Sequence, residues 1–184
     1  MHHLYTTPSF IIYSSPYGES GKFLLLFTKD FGMIGATAQG IRLIQSKLRY
    51  HTQDYSFSNI SIVRGKDIWR ITGAEAHDSI KPSSLHIKIL KLLKRLLHGE
   101  EKNEKLFDIV ELLYTFSIDE KDFDIVEYLT VLRILYTLGY IRNTEKLEGF
   151  LVDCQISDEI LEKVKSSKSH IIQIINSALK ESQL

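Results

Sequence analysis

The chain has 184 residues, of which 43% are hydrophobic, and its 23 Lys and Arg residues balance 23 Asp and Glu residues. This composition excludes a disordered chain, and the length allows one large domain or two small ones. Zero net charge gives no general indication of binding to nucleic acid or membrane. Residues 1–80 carry eight basic and six acidic residues, whereas residues 81–184 carry fifteen and seventeen.

The sequence indicates no targeting segment and no disulfide. The N-terminus lacks the basic start and apolar run of a signal peptide. The most apolar window, residues 85–97, is interrupted by four basic residues, so no membrane span is expected. Cys154 is the only cysteine, and the seven histidines have no zinc-ligand spacing. We therefore expect a cytoplasmic protein without a metal or other cofactor.

Short segments rich in β-branched and aromatic residues fill the first eighty positions and predict five strands. The predicted strands cover residues 10–13, 22–28, 33–38, 54–63 and 68–74. The basic stretch 40–50 between the third and fourth strands is expected to be a short helix or a mobile loop. This arrangement favours a five-stranded OB-fold barrel, although a small open sheet covered by helices also fits.

After residue 81 the apolar spacing becomes helical and predicts five helices. Ser83 or Ser84, Asn103, Asp122 and Ser157 are expected to begin the first four helices, and the fifth is expected at residues 170–180. Strands followed by helices predict an α+β fold with segregated layers. We place an OB-fold domain at residues 1–79 and a helical domain at residues 80–184, with the boundary near residues 76–83.

Basic residues outnumber acidic ones between residues 31 and 66, where Asp54 is the only acid. Cations with few anions nearby suit a phosphate backbone, and exposed aromatic rings suit stacked bases. Most aromatic residues are nevertheless expected in the core of so small a barrel, Phe57 and Trp69 in particular. The candidate DNA-binding residues are Lys22, Arg42, Lys47, Arg49, Arg64, Lys66, Tyr17 and Tyr50.

Catalytic motifs are not found in the sequence. It contains no phosphate-binding Walker loop, no dinucleotide-binding glycine pattern and no nucleophile elbow. A binding protein is therefore favoured over an enzyme. The alternative to DNA binding is a non-catalytic adaptor, with the barrel as a docking module and the helices as a partner surface. The zero net charge supports that alternative.

Four segments together resemble the RecO family of recombination mediators. They are the Tyr-Gly-Glu turn and following strand at residues 15–32, the basic stretch 36–49, the hairpin 64–75, and the helical segments 106–113 and 132–140. Two departures concern the basic stretch, because Gln39 and Ile41 stand where basic residues are common in the family. Many relatives also have a four-cysteine zinc module after the segment that corresponds to residues 138–140, whereas this chain has only Cys154.

The resemblance implies an accessory role in recombinational repair. RecO-like proteins bind single- and double-stranded DNA, anneal complementary strands and help to load the recombinase. The partners that the resemblance implies are a RecR-like protein and the tail of the single-stranded DNA-binding protein. It implies no enzymatic activity, and the missing cysteines imply a form without zinc.

Overall fold

The computed structural model describes residues 3–77, 81–151 and 155–181, and its contacts divide the chain into two compact units, Met1–Phe107 and Asp108–Leu184. The predicted domain boundary near residues 76–83 falls partly on residues 78–80, which lie outside the described residues. The division at residues 79 and 80 therefore stays a prediction.

Five strands of the first unit close into a barrel. They are β1 (Leu4–Tyr17), β2 (Gly21–Thr28), β3 (Gly32–Ala38), β4 (Phe57–Arg64) and β5 (Trp69–Ala76). Their order is β1-β2-β3-β5-β4, and β4 pairs back with β1. The β3–β5 pairing is parallel and the others are antiparallel. This order is that of an OB-fold, so the predicted fold class is confirmed and the open sheet is excluded.

Strand β1 is longer than the predicted segment 10–13 because it pairs with two neighbours. Its first half lies beside β4 and its second half beside β2, and Phe10 pairs with both Phe57 and Phe27. The register shifts between Ile11 and Tyr13, which is the kind of irregularity that bends a strand around a small barrel. One strand can therefore serve both sides of the barrel.

Helix α1 (Leu48–His51) lies between β3 and β4, and helices α2 (Ser84–Leu96) and α3 (Glu104–Thr115) follow β5. The predicted cap at Ser83 is confirmed, since its backbone N–H donates to His86 Nδ1 in a capping box at 3.0 Å. The predicted cap at Asn103 is also confirmed, because its Oδ1 accepts from the Leu106 N–H at 3.0 Å. Residues 97–103, between α2 and α3, form an irregular segment.

The first unit has apolar packing on both sides of the barrel wall. Alternate strand residues, among them Leu24, Leu26 and Ile60, fill the interior. Outside it, an aromatic cluster is formed by Phe10, Phe27, Phe57 and Phe107, all at most 2% exposed. The Phe10 ring centroid lies 4.4 Å from that of Phe57 and 4.9 Å from that of Phe107. The start of α3 is therefore anchored to the outer face of β1.

The second unit continues with α4 (Phe123–Thr137), α5 (Glu148–Leu151), α6 (Asp158–Ser166) and α7 (Lys168–Glu181), and α4 contacts the other three. Arg133 of α4 is 4% exposed, and its guanidinium donates to the carbonyls of Phe150 at 2.9 Å and Gln155 at 3.1 Å. The predicted cap at Ser157 is confirmed, because its Oγ accepts from the Ile160 N–H. Helices of the described ranges are too short or too polar to cross a membrane.

Candidate nucleic-acid interface

The β1–β2 turn brings together the first part of the predicted site. Tyr17 ends β1 and is 58% exposed. The segment after β3 lies against this turn, because Arg42 donates through its backbone N–H to the Ser20 carbonyl at 3.0 Å and through its guanidinium to the Glu19 carbonyl at 3.2 Å. The exposed Arg42 side chain is therefore held at the same end of the barrel as the Tyr17 ring.

Lys22 lies beside this turn, and its side chain is less exposed than that of Arg42. It pairs with Pro16 and Ala38 in the sheet and is partly buried. Its Nζ donates to Ser14 Oγ at 3.4 Å, and Ser14 Oγ donates to Asp54 Oδ1 at 2.6 Å. The polar chain from Lys22 to Asp54 places the one acid of the basic stretch close to this cation. Lys22 is consequently less available to a phosphate than Arg42.

The short helix α1 presents three further predicted residues to solvent. Lys47, Arg49 and Tyr50 are all exposed, whereas Leu48 turns inward against the barrel core. The Arg49 guanidinium lies 5.3 Å from the Tyr50 ring centroid and donates to the Tyr50 hydroxyl at 3.3 Å. Leu48 therefore anchors α1, and a cation stacked on an aromatic ring faces outward.

The β4–β5 turn places the last two predicted residues elsewhere. Arg64 donates twice to the Glu100 carboxylate, at 2.7 and 2.9 Å, and its guanidinium lies 4.7 Å from the Trp69 ring centroid. Trp69 Nε1 donates to the same carboxylate at 3.2 Å. Lys66 is exposed in the turn itself. The charge of Arg64 is thus balanced by an acid that the basic stretch 31–66 does not contain.

The register shows which predicted residues lie together. Leu4, at the start of β1, pairs with Val63 beside the β4–β5 turn, whereas Tyr17, at its end, joins the β1–β2 turn. The two groups therefore lie at opposite ends of β1. The larger group contains Tyr17, Lys22, Arg42, Lys47, Arg49 and Tyr50, and the smaller group contains Arg64 and Lys66.

Other exposed residues near the larger group are missing from the predicted set. Tyr13 is 41% exposed, and Lys94 Nζ lies 4.1 Å from its ring centroid. Leu43 and Ile44 are 46% and 83% exposed between Arg42 and Lys47. The sequence alone could have indicated that Leu43 and Ile44 are exposed, since these two apolar residues lie within a segment that is otherwise basic and polar.

Phe23 is a further residue near the larger group, on the outer face of β2. It pairs with Thr37, and a Cβ at Gly35 would come within 2.9 Å of the Phe23 ring. Because Leu24 and Leu26 face the barrel interior, Phe23 and Leu25 point away from it. Phe57 and Trp69, by contrast, are 2% and 5% exposed, which confirms the prediction that they belong to the core.

No group of three or more metal-ligating side chains occurs within residues 3–77, 81–151 and 155–181. His2 and Cys154 lie outside those ranges. What the barrel presents on its surface is therefore a set of cations and aromatic rings around turns. The fold and this set define an OB-fold barrel protein with a helical extension.

Comparison with known proteins shows which family the barrel resembles. Residues 1–80 match the family described as Recombination protein O N terminal. The chain is 26% identical over 114 residues to the DNA repair protein RecO of Alkaliphilus metalliredigens, covering 58% of this chain and 46% of that protein. The RecO of Heliobacterium modesticaldum is 32% identical over 88 residues, covering 48% of this chain and 32% of that protein. Residues 1–80 therefore match the N-terminal domain of the RecO family, and the chain is similar to RecO proteins.

The match extends beyond the barrel in some relatives. The DNA repair protein RecO of Clostridium novyi is 26% identical over 151 residues, which is 78% of this chain and 59% of that protein. The alignments with the first two relatives cover about half and a third of those proteins. The chain therefore spans about half the length of the curated relatives that it matches.

Proposed function

We propose that this chain is a non-enzymatic mediator of DNA repair and recombination. It binds single- and double-stranded DNA, promotes the annealing of complementary strands and assists recombinase loading. The observation that carries the proposal is an OB-fold barrel, matched by the family over residues 1–80, with exposed cations beside its β1–β2 turn. OB-folds bind oligonucleotides through such turns and the neighbouring strands.

The proposed chemistry is electrostatic attraction combined with stacking. Arg42, Lys47 and Arg49 would neutralise backbone phosphates, and each neutralised phosphate releases a counterion. Tyr17 and Tyr50 have the exposure that stacking on bases requires. Contacts of this kind leave the base edges available, so a second strand can pair while its repulsion from the first is screened. Annealing then needs no bond to be made or broken by the protein.

The smaller group extends the proposed interface. Lys66 is exposed in the β4–β5 turn, and Arg64 stands next to it in the ion pair with Glu100. The partners that we propose, a RecR-like protein and the tail of the single-stranded DNA-binding protein, rest on the similarity to the RecO family. A cytoplasmic location and the absence of a cofactor belong to the same proposal.

Charge reversal tests the placement of the DNA site. In the variant Arg42→Glu/Lys47→Glu/Arg49→Glu we expect the affinity for a single-stranded oligonucleotide to fall by at least about a hundredfold, since three phosphate contacts become repulsive. We expect annealing of complementary oligonucleotides to be abolished. Fluorescence anisotropy and a quenching assay of annealing measure the two quantities, and circular dichroism checks that the fold is retained.

The matched control reverses three exposed cations of the helical unit. The variant Arg142→Glu/Lys146→Glu/Lys180→Glu has the same net charge change, at residues that lie outside the barrel. We expect it to bind and anneal within about threefold of the wild type, because its three residues are not part of the proposed phosphate contacts. Annealing retained by the first variant would reject this placement of the site.

A protein-interaction adaptor is the second candidate function, and one observation favours it. Residues 140–147 and α7 border a groove of about 750 Å³ in the second unit, lined in part by Ile141, Leu147, Ile174 and Ala178. Together with zero net charge, an apolar groove suits a protein partner. A gel shift with single-stranded oligonucleotide at low salt separates the two functions, because an adaptor would give no shifted band.

A further inference from the structure

The carboxylate of Glu100 fills an anion-binding arrangement on the barrel. Arg64 Nη1 donates to both carboxylate oxygens, at 2.7 and 2.9 Å, and the indole N–H of Trp69 donates to one of them at 3.2 Å. A guanidinium that binds two carboxylate oxygens can also bind two oxygens of a phosphate. Both donor groups come from β4 and β5, so the site belongs to the barrel and only its occupant comes from residues 97–103.

Both donor groups also have contacts within the barrel. Trp69 is 5% exposed, and its ring lies 4.9 Å from that of Phe31 and 5.9 Å from that of Tyr5. The Arg64 guanidinium lies 4.7 Å from the centroid of the same indole ring. An arrangement that is fixed by packing loses little conformational freedom when it exchanges one anion for another.

The occupant, by contrast, lies on an irregular segment at the surface. We call residues 97–103, which connect α2 with α3, the strap. Glu100 is 46% exposed and Arg64 50% exposed in their ion pair, and pairs so exposed contribute little to stability. The strap backbone at Glu101 lies against Gly32, and Lys102 Nζ lies 3.9 Å from Asp30 Oδ1. Release of Glu100 alone therefore leaves other strap contacts intact.

We propose that Arg64 and Trp69 form a phosphate-binding site for the DNA backbone, and that Glu100 of the strap competes with the DNA for it. The ligand class is a phosphodiester, because the site adjoins the exposed Lys66 in the β4–β5 turn and OB-folds use this turn for oligonucleotides. The choice of DNA rests on the proposed function, whereas the anion site rests on the contacts of Glu100.

Glu100→Gln is the decisive variant, and Glu101→Gln is its matched control. Both remove one exposed negative charge from the strap, but only Glu100 occupies the site. We expect Glu100→Gln to bind a labelled oligothymidine about threefold to tenfold more tightly than the wild type, as one added charge-assisted contact would. Glu101→Gln should stay within about twofold of the wild type, and Arg64→Gln/Glu100→Gln should lose the gain. Equal affinities for Glu100→Gln and Glu101→Gln would overturn the proposal.

A second readout separates this inference from the proposed function. Trp69 is the only tryptophan of the chain, so its fluorescence reports on the site directly. We expect inorganic phosphate to change this fluorescence saturably in Glu100→Gln, and much less in the wild type and in Arg64→Gln/Glu100→Gln. If no variant binds oligothymidine, the proposed function fails and DNA is rejected as the ligand. The phosphate titration then decides separately whether the anion site exists. A response to an acidic peptide alone would overturn the phosphate assignment.

Discussion

Gly32 is a residue of the barrel against which the strap backbone lies. Its φ is +67°, and a Cβ at this position would overlap the backbone of Glu101, its carbonyl oxygen above all. Gly18 has a similar φ of +62°, but nothing lies within 4 Å of its would-be Cβ. The two glycines therefore share a left-handed backbone and differ in the space around it.

We expect Gly18→Ala to lower the free energy of unfolding by about 1 kcal/mol, the cost of a left-handed conformation for a residue with a Cβ. Gly32→Ala should cost about 2–4 kcal/mol, because the strap backbone must also move. Urea unfolding followed by circular dichroism measures both losses. Equal losses in the two variants would mean that the contact between the strap and Gly32 stabilises nothing.

At the scale of elements, Phe107 connects the first turn of α3 to the barrel. Its ring contacts those of Phe10, Phe27 and Phe57 on the outer side of the wall. We expect Phe107→Ala to lower the free energy of unfolding of the first unit by about 3–5 kcal/mol, as for other buried phenylalanines. Phe116→Ala, at a ring that is 42% exposed, should cost less than about 1 kcal/mol. Chemical denaturation compares the two, and a similar loss in both variants would contradict the anchoring of α3.

The strands were more predictable than the contacts between elements. Short segments rich in β-branched and aromatic residues placed β2, β3 and β5 within a few residues, because such residues fit a buried pleated surface. The predicted start of the fourth strand at residue 54 is wrong, since Tyr55 adopts a φ of +67° and β4 begins at Phe57. The four-residue helix α5 was not predicted, because so short an element has no apolar period of its own.

In the candidate site too, features of neighbouring residues could be predicted from the sequence, whereas contacts between distant residues could not. The sequence places Arg42, Lys47 and Arg49 in one basic stretch, and all three are exposed. It could not indicate that Arg64 pairs with Glu100, because these residues are separated by 36 positions and brought together only by the strap. A count of acids between residues 31 and 66 therefore overstates the net positive charge at the β4–β5 turn.

For the whole molecule, the number of cations that reach phosphates sets the salt dependence of DNA binding. The chain has no net charge, so the affinity depends on local groups rather than on the overall field. Engagement of Lys22, Arg42, Lys47 and Arg49 alone gives a slope of log K against log salt of about −2 to −3 for a single strand. All six predicted cations would give about −4.

We expect the wild type to have the shallower slope, because Glu100 occupies Arg64 and keeps it from a phosphate. The slope of Glu100→Gln should then be steeper by about 0.7, one phosphate contact on a single strand. Anisotropy titrations of a labelled oligothymidine at several salt concentrations give both slopes. An affinity that does not change between low and high salt would contradict phosphate neutralisation altogether. A wild-type slope near −4 would instead mean that DNA already displaces Glu100 without any mutation.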